Sequence, residues 1–179
     1  HGYTVNLTYN NGVAAVQKTT RNVTGTEKDK ATLTFNPAGA YNYGTIANGG
    51  TDNVILNLDY AGGIPASGIS DAFTNSTDFG WTGGAYPGTG GICGDPISAN
   101  CTLDVEFKPH SAAAGLTSNL TITYDDGVTT SQTSVKTLNG DGASPATLTV
   151  TQAEPEDFGD VVVGDNSTLT FNVTLGGGV

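Results

Sequence analysis

Cys93 and Cys101 stand eight positions apart in a glycine-rich stretch of this 179-residue chain. A close pair of this kind in a threonine-rich, lysine-poor sequence reads as a local disulfide, with two buried free thiols as the alternative. Nucleophilic catalysis needs a base that a third group orients toward the nucleophile. The histidines are His1 and His110, and His110 follows Lys108-Pro109, where a solvated turn is expected. Zinc sites of the cysteine and histidine type call for four closely spaced ligands, which two cysteines and one distant histidine do not supply. Paired carboxylates could cleave glycosides if one were buried opposite the other. Here Asp125, Asp126, Asp141 and Glu106 are expected in turns or on outward strand positions, as solvated groups. No catalytic residue is assigned, and the chain is read as a non-enzyme.

Calcium is the inorganic candidate with a physical case, because loop carboxylates between sandwich domains can rigidify an extracellular stalk. Glu154, Glu156, Asp157 and Asp160 are the candidate ligands. Among the aromatics, Phe79, Trp81 and Tyr86 cluster in a loop-like region and could stack on a glycan. The competing reading places Trp81 at one end of a sandwich core, with Tyr86-Pro87-Gly88 shaping a turn. Asn-x-Ser/Thr sequons occur at Asn6, Asn22, Asn75, Asn100, Asn119, Asn166 and Asn172. In so threonine- and asparagine-rich a text they decide little.

The elements that would position these residues are strands. Charged residues make up only 13% of the chain, and no segment carries the spacing of an amphipathic helix. A formal net charge of −11 opposes binding to nucleic acid or anionic lipid, and no run approaches the roughly 18 apolar residues of a spanning helix. A soluble piece is expected, and the absence of methionine suits a segment excised from a larger product. Val5, Leu7 and Tyr9 alternate with polar residues, as do Leu103, Val105 and Phe107, then Leu120, Ile122 and Tyr124, and Leu169, Phe171, Val173 and Leu175. That period of two marks half-buried strands. Asn11-Gly12 and Asp126-Gly127 predict two tight hairpins. Between Gly62-Gly63 and Cys101 a long loop is expected, with one strand at 79–81.

An internal repeat organises these signals. Leu7-Thr8-Tyr9-Asn10-Asn11-Gly12-Val13 matches Ile122-Thr123-Tyr124-Asp125-Asp126-Gly127-Val128, and Ala31-Thr32-Leu33-Thr34 recurs as Ala146-Thr147-Leu148-Thr149. Both pairs are offset by 115 positions, and the same offset carries Tyr43-Gly44 onto Phe158-Gly159 and Gly62-Gly63 onto Gly177-Gly178. The expected organisation is the end of one repeat in residues 1–30, a complete repeat in 31–143, and the start of a third in 144–179. The acids at 154–160 face Gly39-Ala40-Tyr41-Asn42 and Thr45 in the other copy, so a calcium site inherent to the repeat is disfavoured.

The segment from Phe79-Gly80-Trp81 through Tyr86-Pro87-Gly88 to Cys93, followed by Cys101-Thr102-Leu103-Asp104-Val105-Glu106-Phe107-Lys108-Pro109, resembles the choice-of-anchor D repeats of large secreted bacterial surface proteins. These are relatives of the Hydin-type immunoglobulin-like domains. The opening Ala31-Thr32-Leu33-Thr34-Phe35 with Tyr43-Gly44-Thr45-Ile46-Ala47-Asn48-Gly49 is similar too, and so is its second copy at 146–164. The resemblance implies tandem β-sandwiches of seven or eight strands, exported to the bacterial surface or beyond, with no catalytic residues.

The sequence is thus expected to encode an all-β protein of tandem immunoglobulin-like β-sandwich repeats of about 115 residues. The expected role is a structural or adhesive module whose partners are neighbouring repeats or copies of itself, since cut repeats leave open sheet faces. The alternative is a module binding surface glycan or protein through Trp81 and Tyr86.

Overall fold

The computed structural model describes residues 1–13, 16–152 and 154–179. Twelve strands are present among them and no helix. They are β1 (Gly2–Tyr9), β2 (Gln17–Thr24), β3 (Thr32–Asn36), β4 (Tyr41–Ala47), β5 (Asp52–Ala61) and β6 (Ser67–Phe73). Then come β7 (Phe79–Trp81), β8 (Cys101–Phe107), β9 (Leu116–Asp125), β10 (Gln132–Ala143), β11 (Thr147–Val150) and β12 (Val173–Gly176).

Strands β3 to β10 form a sandwich of two four-stranded sheets, in the orders β3-β5-β8-β7 and β4-β10-β9-β6. The alternation of the sequence becomes its core: Leu33 and Phe35, Leu56 and Leu58, Leu103, Val105 and Phe107, and Leu120, Ile122 and Tyr124 are all buried. Tyr43, Phe107 and Phe79 pack in series, with centroids 5.4 Å and 4.8 Å apart. Such offset and tilted aromatic contacts add to the burial of their area. The Tyr43 hydroxyl donates to the Val105 carbonyl across the two sheets at 2.9 Å. Gly140 makes room for this cluster, since a Cβ there would lie 2.5 Å from the Phe107 ring.

Two strands were not legible in the sequence. β4 pairs with β10 in parallel, so the chain crosses from one sheet to the other between β3 and β4. β6 lies within the stretch expected to be loop. It is an edge strand whose register shifts between Ser67 and Ser70, and Gly68 has a φ of 62°. The Asp95 carboxylate accepts hydrogen bonds from the Gly68 and Ile69 amides, as a neighbouring strand would. A bulged edge with an acid from a loop supporting it leaves no clean alternation to read.

The hairpins at Asn11-Gly12 and Asp126-Gly127 are present, but their connections span several residues rather than two. Side chains build them: Asn10 and Asn11 accept from the Gly12 and Val13 amides, as Asp125 and Asp126 accept from Gly127 and Val128. Gly12 and Gly127 have φ of 82° and 86°, the left-handed conformation that glycine adopts without strain.

Outside the sandwich, β1 pairs with β2 and β11 with β12 as two-stranded sheets. Their registers repeat those of the sandwich. Tyr9 lies opposite Gln17 as Tyr124 lies opposite Gln132, and Thr147 opposite Gly176 as Thr32 opposite Ala61. Leu169 and Phe171, expected in a strand, are outside β12. In the sandwich, Asp52 to Asn57 are held by β8 rather than by β3, apart from the Asn57–Asn36 pair. Residues 167–172 have no counterpart of β8 beside them among the described strands, so the strand pairing begins only at Val173.

Candidate functional site

The expected cluster of Phe79, Trp81 and Tyr86 is assembled, but as core rather than as an open platform. Phe79 is 2% and Trp81 7% exposed. Trp81 meets Phe73 and Tyr86 edge-on at 5.2 Å and 5.4 Å, and its indole N–H donates to Asp71 at 2.7 Å. Tyr86 is half-buried, its hydroxyl directed to the Gly94 carbonyl at 3.3 Å. Burial, then the Asp95 and Asp71 charges, pushes this phenol up to about 12. Stacking on a sugar requires an open ring face, and the strand pairing of β7 with β8 turns the faces of Phe79 and Trp81 inward.

The loop that follows Trp81 instead finishes the sheet. β7 covers only Val105 to Phe107 of β8, leaving the rest of that edge to be satisfied. Thr82 N–H donates to the Asp104 carbonyl, Asp104 N–H to the Pro87 carbonyl, and Ile92 N–H to the Thr102 carbonyl. The Asp104 side chain, outward by alternation, is 4% exposed because this loop lies over it. It accepts from Asn53 Nδ2 at 3.0 Å, Thr82 Oγ1 at 2.9 Å and Gly90 N at 2.9 Å. Burial works to raise its pKa, but those three hydrogen bonds outweigh it and hold the carboxyl below the usual value. Cys93 and Cys101 form a disulfide with a Cα separation of 5.0 Å, which ties the end of the loop to the start of β8. A covered edge cannot template pairing with another chain.

A second set of buried carboxylates corrects the expectation of solvated acids. Asp126 is 1% exposed. The Thr129 and Val128 amides, at 2.6 Å and 2.9 Å, lower its pKa most, burial opposes them, and Lys30, 3.3 Å from Oδ2, lowers it further. That contact is an ion pair without hydrogen-bond geometry, for Oδ2 has no hydrogen-bond partner. The acid thus clips the segment before β3 to the β9–β10 turn, together with the Ala31 N–H that donates to the Asp126 carbonyl. Asp78, also buried, is held below the usual value against its own desolvation by hydrogen bonds from Asn75 and the His110 amide, with the His110 ring nearby adding to the effect. His110 itself is exposed, with Nδ1 3.5 Å from Asp78. Asp125, Asp141 and Glu106 are half-buried. Asp125 and Asp141 cap turns, accepting from the Gly127 and Gly115 amides.

The calcium candidates Glu154, Glu156, Asp157 and Asp160 are exposed, and Asp157 accepts from the Gly159 amide. Among the described residues no three His, Cys, Asp or Glu side chains come together as a metal site would require.

The open surfaces lie at the two ends of the chain. Tyr3, Val5, Leu7 and Tyr9 share one face of β1 with Val23 of β2, and all five are exposed. Leu148, Val150, Val173 and Leu175 form the matching face of β11 and β12, also exposed. Their counterparts 115 positions away, Leu120, Ile122 and Tyr124 on one side and Leu33 and Phe35 on the other, are the buried core. A hollow of about 420 Å³ lies against Tyr3 and Val23. Sequence reasoning found these strands through their alternation. It missed the roles of Asp104 and Asp126, because nothing local distinguishes a carboxylate that a distant loop will cover.

No protein-family model and no curated protein matches this sequence. The disulfide is of the kind that oxidising compartments maintain, and no helix among the described residues is long and apolar enough to cross a membrane.

Proposed function

We propose that this chain is a structural or adhesive module of an extracellular repeat protein, built from immunoglobulin-like domains joined end to end. The observation that carries the proposal is the identical strand register at positions 115 apart, with hairpins at both ends that repeat parts of the central sandwich. Several further features support it. The two packed four-stranded sheets, in the orders β3-β5-β8-β7 and β4-β10-β9-β6, support the immunoglobulin-like reading, since such domains are two-sheet sandwiches. The same glycine pair fastens each linker: Gly63 N–H donates to the Asp29 carbonyl and Gly178 N–H to the Ser144 carbonyl. Tandem domains of one fold gain reach while each needs only its own core and contacts with its neighbours. The disulfide fits export, and the likeness of the Phe79 to Pro109 segment to choice-of-anchor D repeats fits the bacterial surface.

Electron microscopy of the purified chain over a range of concentrations tests the reading. Elongated rods or fibres with an axial spacing of one sandwich are expected. Isolated globular particles at every concentration, together with saturable binding of a soluble sugar, would replace it with the ligand-binding alternative.

A further inference from the structure

The two exposed hairpins repeat, 115 positions away, the registers of strand pairs that lie on opposite sheets of the central sandwich. We propose that the β1–β2 face of one copy of this chain receives the β11–β12 face of a second copy, head to tail. The inference rests on the end-to-end reading above and names the partner surfaces.

The central sandwich supplies the template. There the β9–β10 hairpin, counterpart of β1–β2, lies across from β3 and β5, counterparts of β11 and β12. Two hydrogen bonds fix that docking: Leu33 N–H donates to the Tyr124 hydroxyl at 3.1 Å, and Lys136 Nζ to the Pro37 carbonyl at 2.8 Å. Displaced by 115 positions, these become Leu148 N–H to the Tyr9 hydroxyl, and Arg21 to the Gln152 carbonyl. Tyr9, Arg21 and Leu148 are all exposed. The apolar residues correspond in the same way, with Val5, Leu7 and Tyr9 standing where Leu120, Ile122 and Tyr124 meet the opposite sheet.

Charge separates the two ends as a head-to-tail contact requires. Residues 1–30 hold four of the six cations (Lys18, Arg21, Lys28 and Lys30) against Glu27 and Asp29, a net charge of +2. Residues 144–179 hold Glu154, Glu156, Asp157, Asp160 and Asp165 and no lysine or arginine, a net charge of −5. Pairing like ends would set equal charges together, whereas pairing unlike ends sets Arg21 beside the acids that follow Gln152. Because the contact joins different faces, it does not consume both ends of a pair and extends into an open series. The faces are small, so assembly depends on concentration and weakens with salt.

Complementation tests this. One variant carries Val5→Asp and Leu7→Asp, the other Leu148→Asp and Leu175→Asp; Trp81 emission checks that each sandwich is folded. By light scattering, the unmodified chain is expected to grow in mass with concentration, each variant alone to remain monomeric, and their equimolar mixture to stop at a dimer. Arg21→Glu, a change at an exposed side chain, is expected to weaken growth of the otherwise unmodified chain at least tenfold at low salt. If both folded variants still assemble like the unmodified chain, other surfaces mediate the contact, and the pairing is overturned while the fibre reading stands. A dimer formed by either variant alone would show like ends pairing and would also overturn it. An unmodified chain that never assembles overturns the pairing and the self-assembling fibre together.

Discussion

Asp104→Ala tests whether one carboxylate holds the 82–91 loop over β8. The side chain accepts three hydrogen bonds, from Asn53, Thr82 and Gly90. Hydrogen bonds to an ionised group contribute roughly 1.5–3 kcal/mol each. The full sum is not expected, because Asn53 and Gly90 are exposed and Thr82 is half-buried, so all three can recruit water when released. A loss of about 3 kcal/mol is the expected result, and about half that for Asp104→Asn, which keeps the shape and one acceptor oxygen. The pH dependence has a definite sign. Hydrogen bonds hold the folded-state pKa below the usual 3.8 despite burial, so on acidification the unfolded chain takes up this proton first. The contribution is therefore present above about pH 4 and lost as the pH falls through the folded-state value. Urea unfolding followed by emission of Trp81, the sole tryptophan, measures both at pH 7 and pH 3. A loss below about 1 kcal/mol at pH 7 would refute the anchoring role, and so would a gap between the native chain and Asp104→Asn that fails to narrow in acid.

Gly140→Ala should cost roughly 1–3 kcal/mol, since the new methyl meets the Phe107 ring in a core already filled by Tyr43 and Phe79; thermal unfolding would register it. Replacing Cys93 and Cys101 by alanine should lower stability by roughly 2.5 kcal/mol, the chain-entropy expectation for a bridge between residues eight apart, read from urea midpoints under non-reducing conditions. Tyr43→Phe should cost about 1 kcal/mol at neutral pH by removing the buried hydrogen bond from its hydroxyl to the Val105 carbonyl. Burial, then the neighbouring Tyr41, Asp52, Asp104 and Glu106, raises the Tyr43 pKa above its ordinary 10.0, so that contribution is present below pH 10 and lost as the pH rises further. The native chain and Tyr43→Phe should therefore converge in alkaline urea titrations.

The strands that alternate cleanly were legible because a half-buried sheet imposes a period of two on the sequence itself. Leu103, Val105 and Phe107 needed no knowledge of their neighbours to be placed on one face, and the 115-residue offset was visible in residues that later proved to share a register. The disulfide, too, was readable from spacing and composition. β6 was not legible, because its bulge and glycine are made tolerable by Asp95, some two dozen residues away. Nor was the parallel β4–β10 pairing, which joins segments about a hundred residues apart and leaves no local mark.

The same division governs the candidate sites. Residue type and spacing were enough to gather Phe79, Trp81 and Tyr86 into one region, but only the closure of β7 onto β8 decided that two of these rings are core. Asp104 and Asp126 occupy positions that local pattern assigns to solvent, and tertiary contacts bury them. The sequence by itself determined which side chains face together along each strand, since that follows from backbone geometry. Which of those faces are covered, and which stand open at the ends of the chain, depends on what segments distant in sequence bring against them, and that only the tertiary structure decided.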